Sequence, residues 1–259
     1  MLKGTKGFAY LGIRTETERM RINGYDNLIF FDTETTGFDP VRNRLIEIGA
    51  VSVSEEGEET IGKLIRLPEG ERLPAKITGI TKITEEMLTD EGVGEREALA
   101  SFFALFERGK KNLLIAHNAA FDYGFVRIAA EKYRRGNADW VRCLKEADYL
   151  DTLTVYRDRR EKKHGLADAI KDFSVEDKAG QFHRAGDDAM ALKEVTTALQ
   201  KERDDLESYI NIFGYKPEYG GPKRFPEHVR VYPQSSDTGM KPLDKTLPAL
   251  VKQAKDILS

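Results

Sequence analysis

Two carboxylates separated by one residue follow an apolar run early in the chain. The stretch Leu28-Ile29-Phe30-Phe31 leads directly into Asp32, and Glu34 comes two positions later. Such a run is typical of a buried strand, and the alternation of side chains places Asp32 and Glu34 on the same side of it. Neighbouring carboxylates at a buried strand end repel each other and lose hydration, and a divalent cation that prefers oxygen ligands relieves both costs. The spacing indicates a metal site, with a solvated acidic turn as the alternative interpretation.

Other acids can reach the same place through the elements that carry them. Asp122 falls in the first turn of a predicted helix, directly after the apolar strand predicted at residues 112–116. Asp187 and Asp188 lie on a later, long helix, where neighbours differ by about 100° in direction. Asp188 shares its face with Leu192, and this apolar face must pack on the sheet. Asp188 is therefore the acid expected to meet the other carboxylates.

One histidine, His183, precedes Asp188 closely enough to reach the same site. A neutral imidazole near pH 7 can accept a proton from an attacking water. A lone histidine is more often structural, so this assignment depends on the presence of the acids. Together the groups suit phosphoryl transfer with two metal ions about 3.5–4 Å apart.

The elements that position these residues follow an alternating pattern. Three early strands with short connections predict an antiparallel meander, and the strand–turn–helix around Asp122 is half of a parallel crossover unit. The apolar spacing predicts strands at residues 28–32, 45–53, 61–67, 112–116, 149–153 and 229–233, and helices at 84–87, 95–106, 121–133, 166–173 and 185–209.

With these motifs in place, the chain resembles the DEDDh subfamily of 3′–5′ exonucleases, which includes the proofreading epsilon subunit of bacterial DNA polymerase III. The stretches 31–37, 117–122 and 183–189 resemble the three motifs of the subfamily in order. Residues 77–81 match the loop that lies between the first two motifs. The resemblance covers roughly residues 26–202, and a coincidental match of all pieces in order is very improbable.

The resemblance implies an α/β fold, with a ribonuclease H-like mixed five-stranded sheet flanked by helices and followed by a C-terminal extension. We expect an N-terminal lead without an assigned role at residues 1–24, an exonuclease domain at 25–202 and an extension at 203–259. The resemblance also implies release of nucleoside 5′-monophosphates from 3′ ends. Its catalytic set is two divalent cations, Mg²⁺ or Mn²⁺, held by Asp32, Glu34, Asp122 and Asp188, with His183 as general base.

A substrate pocket for the terminal nucleotide follows from the same resemblance. Phe38 could stack on a base or simply pack, and both interpretations stay open. For His117, after a buried strand, a structural role is favoured over a phosphate contact. The residues expected to line the pocket are Thr35, Thr36, Gly37, Phe38, Thr78, Ile80, Asn118 and Phe121.

Composition narrows the setting in which such an enzyme would work. Charged residues make up 33% of the chain and no apolar run approaches the roughly 20 residues that span a bilayer, so no membrane partner is expected. No secretion signal is expected at the N-terminus. A single cysteine, Cys143, excludes an internal disulfide and fits the reducing cytoplasm.

The net charge of −3 means that any phosphate-binding surface must be local. The basic run at 157–163 is either a solvated helix end or such a surface.

Several functions remain open at this point. The main hypothesis is an exonuclease for single-stranded DNA or frayed DNA 3′ ends. An exoribonuclease is the alternative, because the sequence does not reveal how the 2′ position of the sugar is read. A third hypothesis is a proofreading module bound to a DNA polymerase, with the extension as a tether. A catalytically dead scaffold is least favoured, since all five catalytic side chains are present.

Overall fold

A five-stranded mixed sheet forms the centre of the computed structural model, which describes residues 20–161, 163–176, 184–216, 226 and 228–234. The strand order is β3-β2-β1-β4-β5; β1, β2 and β3 are antiparallel neighbours, whereas β4 and β5 run parallel to β1. The expected mixed five-stranded sheet is therefore confirmed. The strands are β1 Asn27–Thr35, β2 Leu45–Ser54, β3 Gly57–Leu64, β4 Asn112–Ala116 and β5 Asp148–Asp151.

Helices cover both faces of this sheet. They are α1 Ala75–Thr81, α2 Glu85–Asp90, α3 Glu95–Ala104, α4 Ala119–Lys132, α5 Ala138–Glu146, α6 Thr152–Arg159, α7 Leu166–Asp172 and α8 Ala185–Glu202. Because side chains alternate along β1, Ile29 and Phe31 pack with α3, α4 and α5, whereas Leu28 and Phe30 pack with α6, α7 and α8. Within the described residues, none of the helices combines the length and apolar character that crossing a membrane requires.

One segment expected to be a loop is helical. Residues 77–81 lie in α1, because Pro74 begins the helix and its carbonyl accepts hydrogen bonds from the amides of Ile77 and Thr78. Ile77 packs against an apolar cluster formed by β2, β3 and α2. The helix ends at Lys82, which takes a left-handed conformation with φ of 61°. Packing outweighs the weak helix preference of the Ile-Thr-Gly stretch.

The last long helix is shorter than predicted. It ends at Glu202, where Arg203 takes an extended conformation, and a 3₁₀ turn follows at Leu206–Tyr209. Arg159, from the basic run at 157–163, lies only 6% exposed beside this end and donates to the carbonyl oxygens of Leu199 and Arg203. Neither a solvated helix end nor a phosphate-binding surface describes Arg159, which instead holds α6 against the end of α8.

The hydrophobic core crosses both expected domain boundaries. Ile22, before the first boundary, and Tyr209, after the second, pack with α8, and Phe213 packs with α4 and α5. Beyond the sheet, β6 Ile212–Tyr215, which the pattern did not predict, pairs in parallel with β7 Arg230–Pro233. The first part of the extension is therefore packed against the domain.

Candidate active site

Three carboxylates converge at the end of β1. Asp32, Glu34 and Asp188 each offer an oxygen, and these atoms lie within 4.8 Å of one another. Asp32 and Glu34 point to the face of the sheet that α8 covers, as the alternation along β1 requires. Asp188, the fourth residue of α8, is 8% exposed, whereas its neighbour Asp187 is more exposed.

The approach of α8 to the sheet depends on the residues of β2 that lie opposite these acids. Gly49 pairs with Asp32, and a Cβ at Gly49 would stand 2.0 Å from the carbonyl carbon of Ala185. Only glycine leaves room for the first turn of α8 at this position. Glu47 pairs with Glu34, and its carboxylate binds the Ala185 amide at 3.0 Å. These contacts hold Asp188 over the strand acids.

Asp122 comes from the opposite face of the sheet and is not part of this compact group. Its Oδ1 accepts hydrogen bonds from the Thr33 amide at 3.0 Å and from the Thr33 hydroxyl at 2.7 Å. Thr33 points away from Asp32 and Glu34, so α4 places Asp122 at the rim rather than among the three acids. Burial raises the pKa of Asp122 to about 7, and the Thr33 hydroxyl bond opposes that rise.

Two of the three converging acids, Asp32 and Glu34, are electrostatically strained. Burial is the main cause that raises the pKa of Asp32 well above its usual range, followed by the charges of Asp122 and Asp188. Burial and then the charge of Asp188 raise the pKa of Glu34 to about 8. Among the described residues, neither Asp32 nor Glu34 forms an ion pair. Oxygen donors that resist ionisation in this way fit a hard divalent cation, which would offset both burial and repulsion.

The turn after β1 is tightly organised by its own hydrogen bonds. The Thr35 hydroxyl donates to the Gly37 carbonyl at 2.6 Å, and the Thr36 hydroxyl accepts from the Arg44 amide at 2.9 Å. A Cβ at Gly37 would stand 2.7 Å from the Asn43 side chain, so this position favours glycine. The turn leaves Phe38 80% exposed beside the acids' strand.

The other predicted pocket residues lie on two helices. Phe121, in the first turn of α4, has its ring 6.4 Å from that of Phe38 in an edge-on arrangement. Asn118 precedes this helix with φ of 79°. Thr78 and Ile80 lie on α1, and Ile80 is an exposed apolar side chain. The structure therefore brings Phe38 and Phe121 together, whereas Thr78 and Ile80 lie on α1.

The two histidines considered for the site, His117 and His183, differ in how much the structure shows of them. His117 is held by two bonds: Nε2 lies 2.7 Å from the His164 carbonyl and Nδ1 lies 3.0 Å from the Thr152 hydroxyl. Burial lowers the pKa of His117 to about 4, which fits the structural role favoured from the sequence. His183 lies outside the described residues, so its role as general base stays a prediction.

Two buried carboxylates at the site were missed from the sequence. Glu47 interrupts the apolar run of β2, and Asp151 ends β5. Asp151 accepts the amides of Asn118 and Ala119, and its pKa is raised by burial against the effect of these bonds. An acid within a continuous apolar strand was the available signal, because such a group must have polar partners when buried.

Comparison with known proteins agrees with this architecture. The model of the family described as Exonuclease matches residues 29–196. The DNA polymerase III PolC-type of Clostridium perfringens is 30% identical over 236 residues, which cover 86% of this chain and 15% of the relative. The protein of the same name from Thermotoga maritima is 33% identical over 210 residues, which cover 75% and 14%. The chain thus spans about one seventh of the length of these relatives.

Among solved structures, the zinc-bound form of the E. coli ExoI–ssDNA complex has a TM-score of 0.61 to this chain. The two are 19% identical, and the match covers 71% of this chain and 42% of the other. At this identity the likeness concerns the fold, which is shared. The family match covers the sheet and every helix from α1 to α8 up to residue 196, and the chain therefore belongs to the exonuclease family as a domain of the DEDD 3′–5′ type.

Proposed function

We propose that this chain is a metal-dependent 3′–5′ exonuclease that removes nucleoside 5′-monophosphates from the 3′ ends of DNA. The observation that carries the proposal is the convergence of Asp32, Glu34 and Asp188 within 4.8 Å at the end of β1. We favour DNA as the substrate because E. coli ExoI, which shares this fold, forms a complex with single-stranded DNA. Single-stranded DNA and frayed DNA ends are the substrates we propose.

The acids would hold two divalent cations, Mg²⁺ or Mn²⁺. Asp32, Glu34 and Asp188 are the proposed main ligands, and Asp122 at the rim completes the set. When bound, the ions supply a water that is nucleophilic near neutral pH and offset charge on the leaving oxygen. We propose no role for Asp187, because it lies beside the group rather than in it.

His183 is the proposed general base, on the resemblance and on its distance in sequence from Asp188. Its neutral imidazole accepts the proton of the attacking water. The water oxygen bonds to phosphorus, the bond from phosphorus to the 3′ oxygen breaks, and that oxygen takes up a proton. The products are a nucleoside 5′-monophosphate and a strand with a new 3′ hydroxyl.

The turn after β1 would hold the terminal nucleotide. Thr35, Thr36 and Gly37 form a turn fixed by its own hydrogen bonds, so it can offer a preformed surface. Phe38 is 80% exposed next to Phe121, and an exposed aromatic ring can stack on a base. The remaining proposed contacts are Thr78, Ile80 and Asn118.

A second candidate is proofreading for a DNA polymerase. The relatives that match over most of this chain are named DNA polymerase III PolC-type, and the chain aligns with a small part of each. In this candidate residues 25–202 are the catalytic domain, residues 1–24 are a lead and residues 203–259 are an extension. The hydrophobic core described above crosses both boundaries. Cytoplasmic localisation belongs to the same proposal, because the single Cys143 fits a reducing compartment.

The test is digestion of matched DNA and RNA strands labelled at the 3′ or the 5′ end, with Mg²⁺ and with EDTA. We expect immediate release of the 3′ label as a mononucleotide, gradual shortening of 5′-labelled DNA, and slower digestion of RNA. Asp32→Asn is the control for contaminating nucleases and should be inactive. Faster digestion of RNA would replace the DNA proposal by the exoribonuclease, and release of the 5′ label first would overturn the polarity.

A further inference from the structure

The two helices that carry Asp122 and Asp188 both begin without a cap of their own. Neither helix has an N-cap residue whose side chain bonds the helix's own amides, although such caps are common. In α8 the residue at the cap position is Arg184, and in α4 it is Asn118. The acid is the fourth residue in each helix. The position of each acid is therefore set one turn after an end that lacks its own cap.

At the start of α8 the missing cap is replaced by a residue of the sheet. Glu47 of β2 accepts the first helical amide, Ala185 N, through Oε2 at 3.0 Å. Its other oxygen accepts from Nε of Arg184 at 3.0 Å, with Nη2 also at 3.0 Å. The side chain of Glu47 is 2% exposed. Since both oxygens are occupied, Glu47 holds the helix end rather than offering a further ligand to a cation.

At the start of α4 a second residue of the sheet does the same. Asp151, the last residue of β5, accepts from Asn118 N at 2.9 Å and from Ala119 N at 3.1 Å through one oxygen. Its second oxygen accepts from the Thr154 hydroxyl at 2.5 Å. Asp151 is 3% exposed. Both acid-bearing helices are therefore fastened at their N-termini to a strand carboxylate.

A helix elsewhere in the molecule does carry a cap of its own. The α2 helix is capped by its own Thr84, whose hydroxyl accepts the Met87 amide at 3.2 Å. A cap of this kind stabilises the helix but does not fix where it stands relative to the sheet. A cap from a strand does both, because the bond joins two elements. Compared with Thr84, Glu47 and Asp151 therefore add a fixed position of the helix relative to the sheet.

We propose that Glu47 and Asp151 are positioning residues, which set the places where Asp188 and Asp122 meet the acids of β1 and thereby the affinity for divalent cations. The inference rests on the cation site of the proposed function, but it can be tested apart from nuclease activity because cation binding can be measured without substrate. Groups that orient metal ligands in this way typically change metal affinity about 10–100-fold when they are replaced. A displacement of about 1 Å at a reacting group has a cost of similar size.

The experiment measures Mn²⁺ affinity by calorimetry on the full chain without nucleic acid, together with kcat and KM on a DNA oligonucleotide and unfolding in EDTA. The test variants are Glu47→Gln and Asp151→Asn, which keep the size of the side chain. We expect each to weaken Mn²⁺ binding about 10–100-fold. At saturating Mn²⁺ we expect a lower kcat with little change in KM.

Two matched controls separate positioning from general stability. Glu58→Gln removes the ion pair that joins β3 to Lys193 in the middle of α8, at 2.8 Å. Thr84→Ala removes the cap of α2, which should lower the urea midpoint. Both should bind Mn²⁺ with the affinity of the wild type. Equal weakening by Thr84→Ala would mean that loss of stability alone explains the test variants, and the proposal would be overturned.

A further variant separates geometry from charge. Gly49→Ala forces the start of α8 away from β2 without altering any charge. If Glu47 acts by position, Gly49→Ala also weakens Mn²⁺ binding. Normal Mn²⁺ binding by folded Gly49→Ala would show that the place of the first turn of α8 does not set the affinity, and the proposal fails. Should Glu47→Gln not fold, Gly49→Ala and Asp151→Asn decide whether the helix starts set the Mn²⁺ affinity.

Normal Mn²⁺ binding by folded Glu47→Gln would refute the role of Glu47. Absence of nuclease activity in the wild type would refute only the proposed function.

Discussion

Two regions of this molecule bring charged side chains close together, one with like charges and the other with opposite charges. At the end of β1 the charged side chains are carboxylates, and the pKa values of Asp32 and Glu34 rise because burial and neighbouring acids disfavour the charged form. At the end of α6 the buried Arg159 lies between Glu202 at 3.2 Å and Asp205 at 2.5 Å, so opposite charges meet. In the first region we propose that a cation from outside offsets the charge of the acids, whereas in the second an arginine of the chain does so. Like charges thus meet where a ligand is expected, and opposite charges meet where two elements are held together.

The largest expected effect would come from removing one acid of the first region. Asp188→Asn should lower kcat roughly 10²–10³-fold, because it removes a proposed ligand of the cations that would offset charge in the transition state. Asp187→Asn is the matched control and should keep most of the activity, since Asp187 does not join the three acids. Steady-state rates on a labelled oligonucleotide measure both. Equal losses in the two variants would contradict the assignment of α8's face.

Removing the cation of the second region should affect stability instead of catalysis. Arg159→Met removes the buried cation that joins Glu202 and Asp205, which keep only Arg160 and Arg203 as partners, and it removes the bond to the Leu199 carbonyl. We expect a loss of about 3–5 kcal/mol in the free energy of unfolding, as for a buried ion pair broken on one side. Urea denaturation measures it. The kcat of the folded fraction should stay unchanged, and a lower kcat would show that the two regions are coupled.

The first region was largely predictable from sequence, whereas the second was not. Asp32, Glu34 and Asp188 follow regular periods on one strand and one helix, so their directions can be derived from the sequence. Arg159 lies in a run of mixed charge, and its partners Glu202 and Asp205 are more than 40 positions away. No local pattern distinguishes it from exposed arginines. Only the packing of α6 on α8 does so.

Two short elements were also missed. The α5 helix has only nine residues, and its buried side chains, Val141 and Leu144, lie at helical spacing among charged residues. The β6 strand has four residues and depends on its pairing with β7. By contrast, β4 was predicted at its observed bounds because four of its five residues form an apolar run. Tertiary contacts decide the short elements, and periodicity decides the long ones.

A smaller effect is expected from pH, through the raised pKa values of the first region. In the folded protein without metal the pKa of Glu34 is raised from 4.5 to about 8, and that of Asp122 from 3.8 to about 7. The folded state thus binds protons more tightly than the unfolded state, so stability should fall as pH rises from about 4 to about 8. Melting temperatures in EDTA between these pH values measure the slope. Mn²⁺ should reduce it, and a slope unaffected by both Mn²⁺ and Glu34→Gln would contradict the pKa shift.

The smallest effect is expected at the exposed side of the second region. Arg160 bonds Asp172 and Glu202, each at 2.7 Å, and its side chain is only partly buried. Such pairs contribute about 0–1 kcal/mol, because water already solvates the charges. Arg160→Gln should therefore lower the free energy of unfolding by at most this amount in urea. A loss as large as that of Arg159→Met would mean that burial does not distinguish the two arginines.

The bond from Glu47 to Ala185 has a consequence for the order in which the molecule folds. It joins residues 138 positions apart, and the bond from Thr33 to Asp122 spans 89. Contacts so distant along the chain require large loops to close and form late, after the local hairpin of β1 and β2. During synthesis the three acids cannot meet until the first turn of α8 has left the ribosome. A nascent chain therefore carries the strand motif for more than 150 residues before the cluster exists. The acids of the candidate active site come together only when the domain is nearly complete.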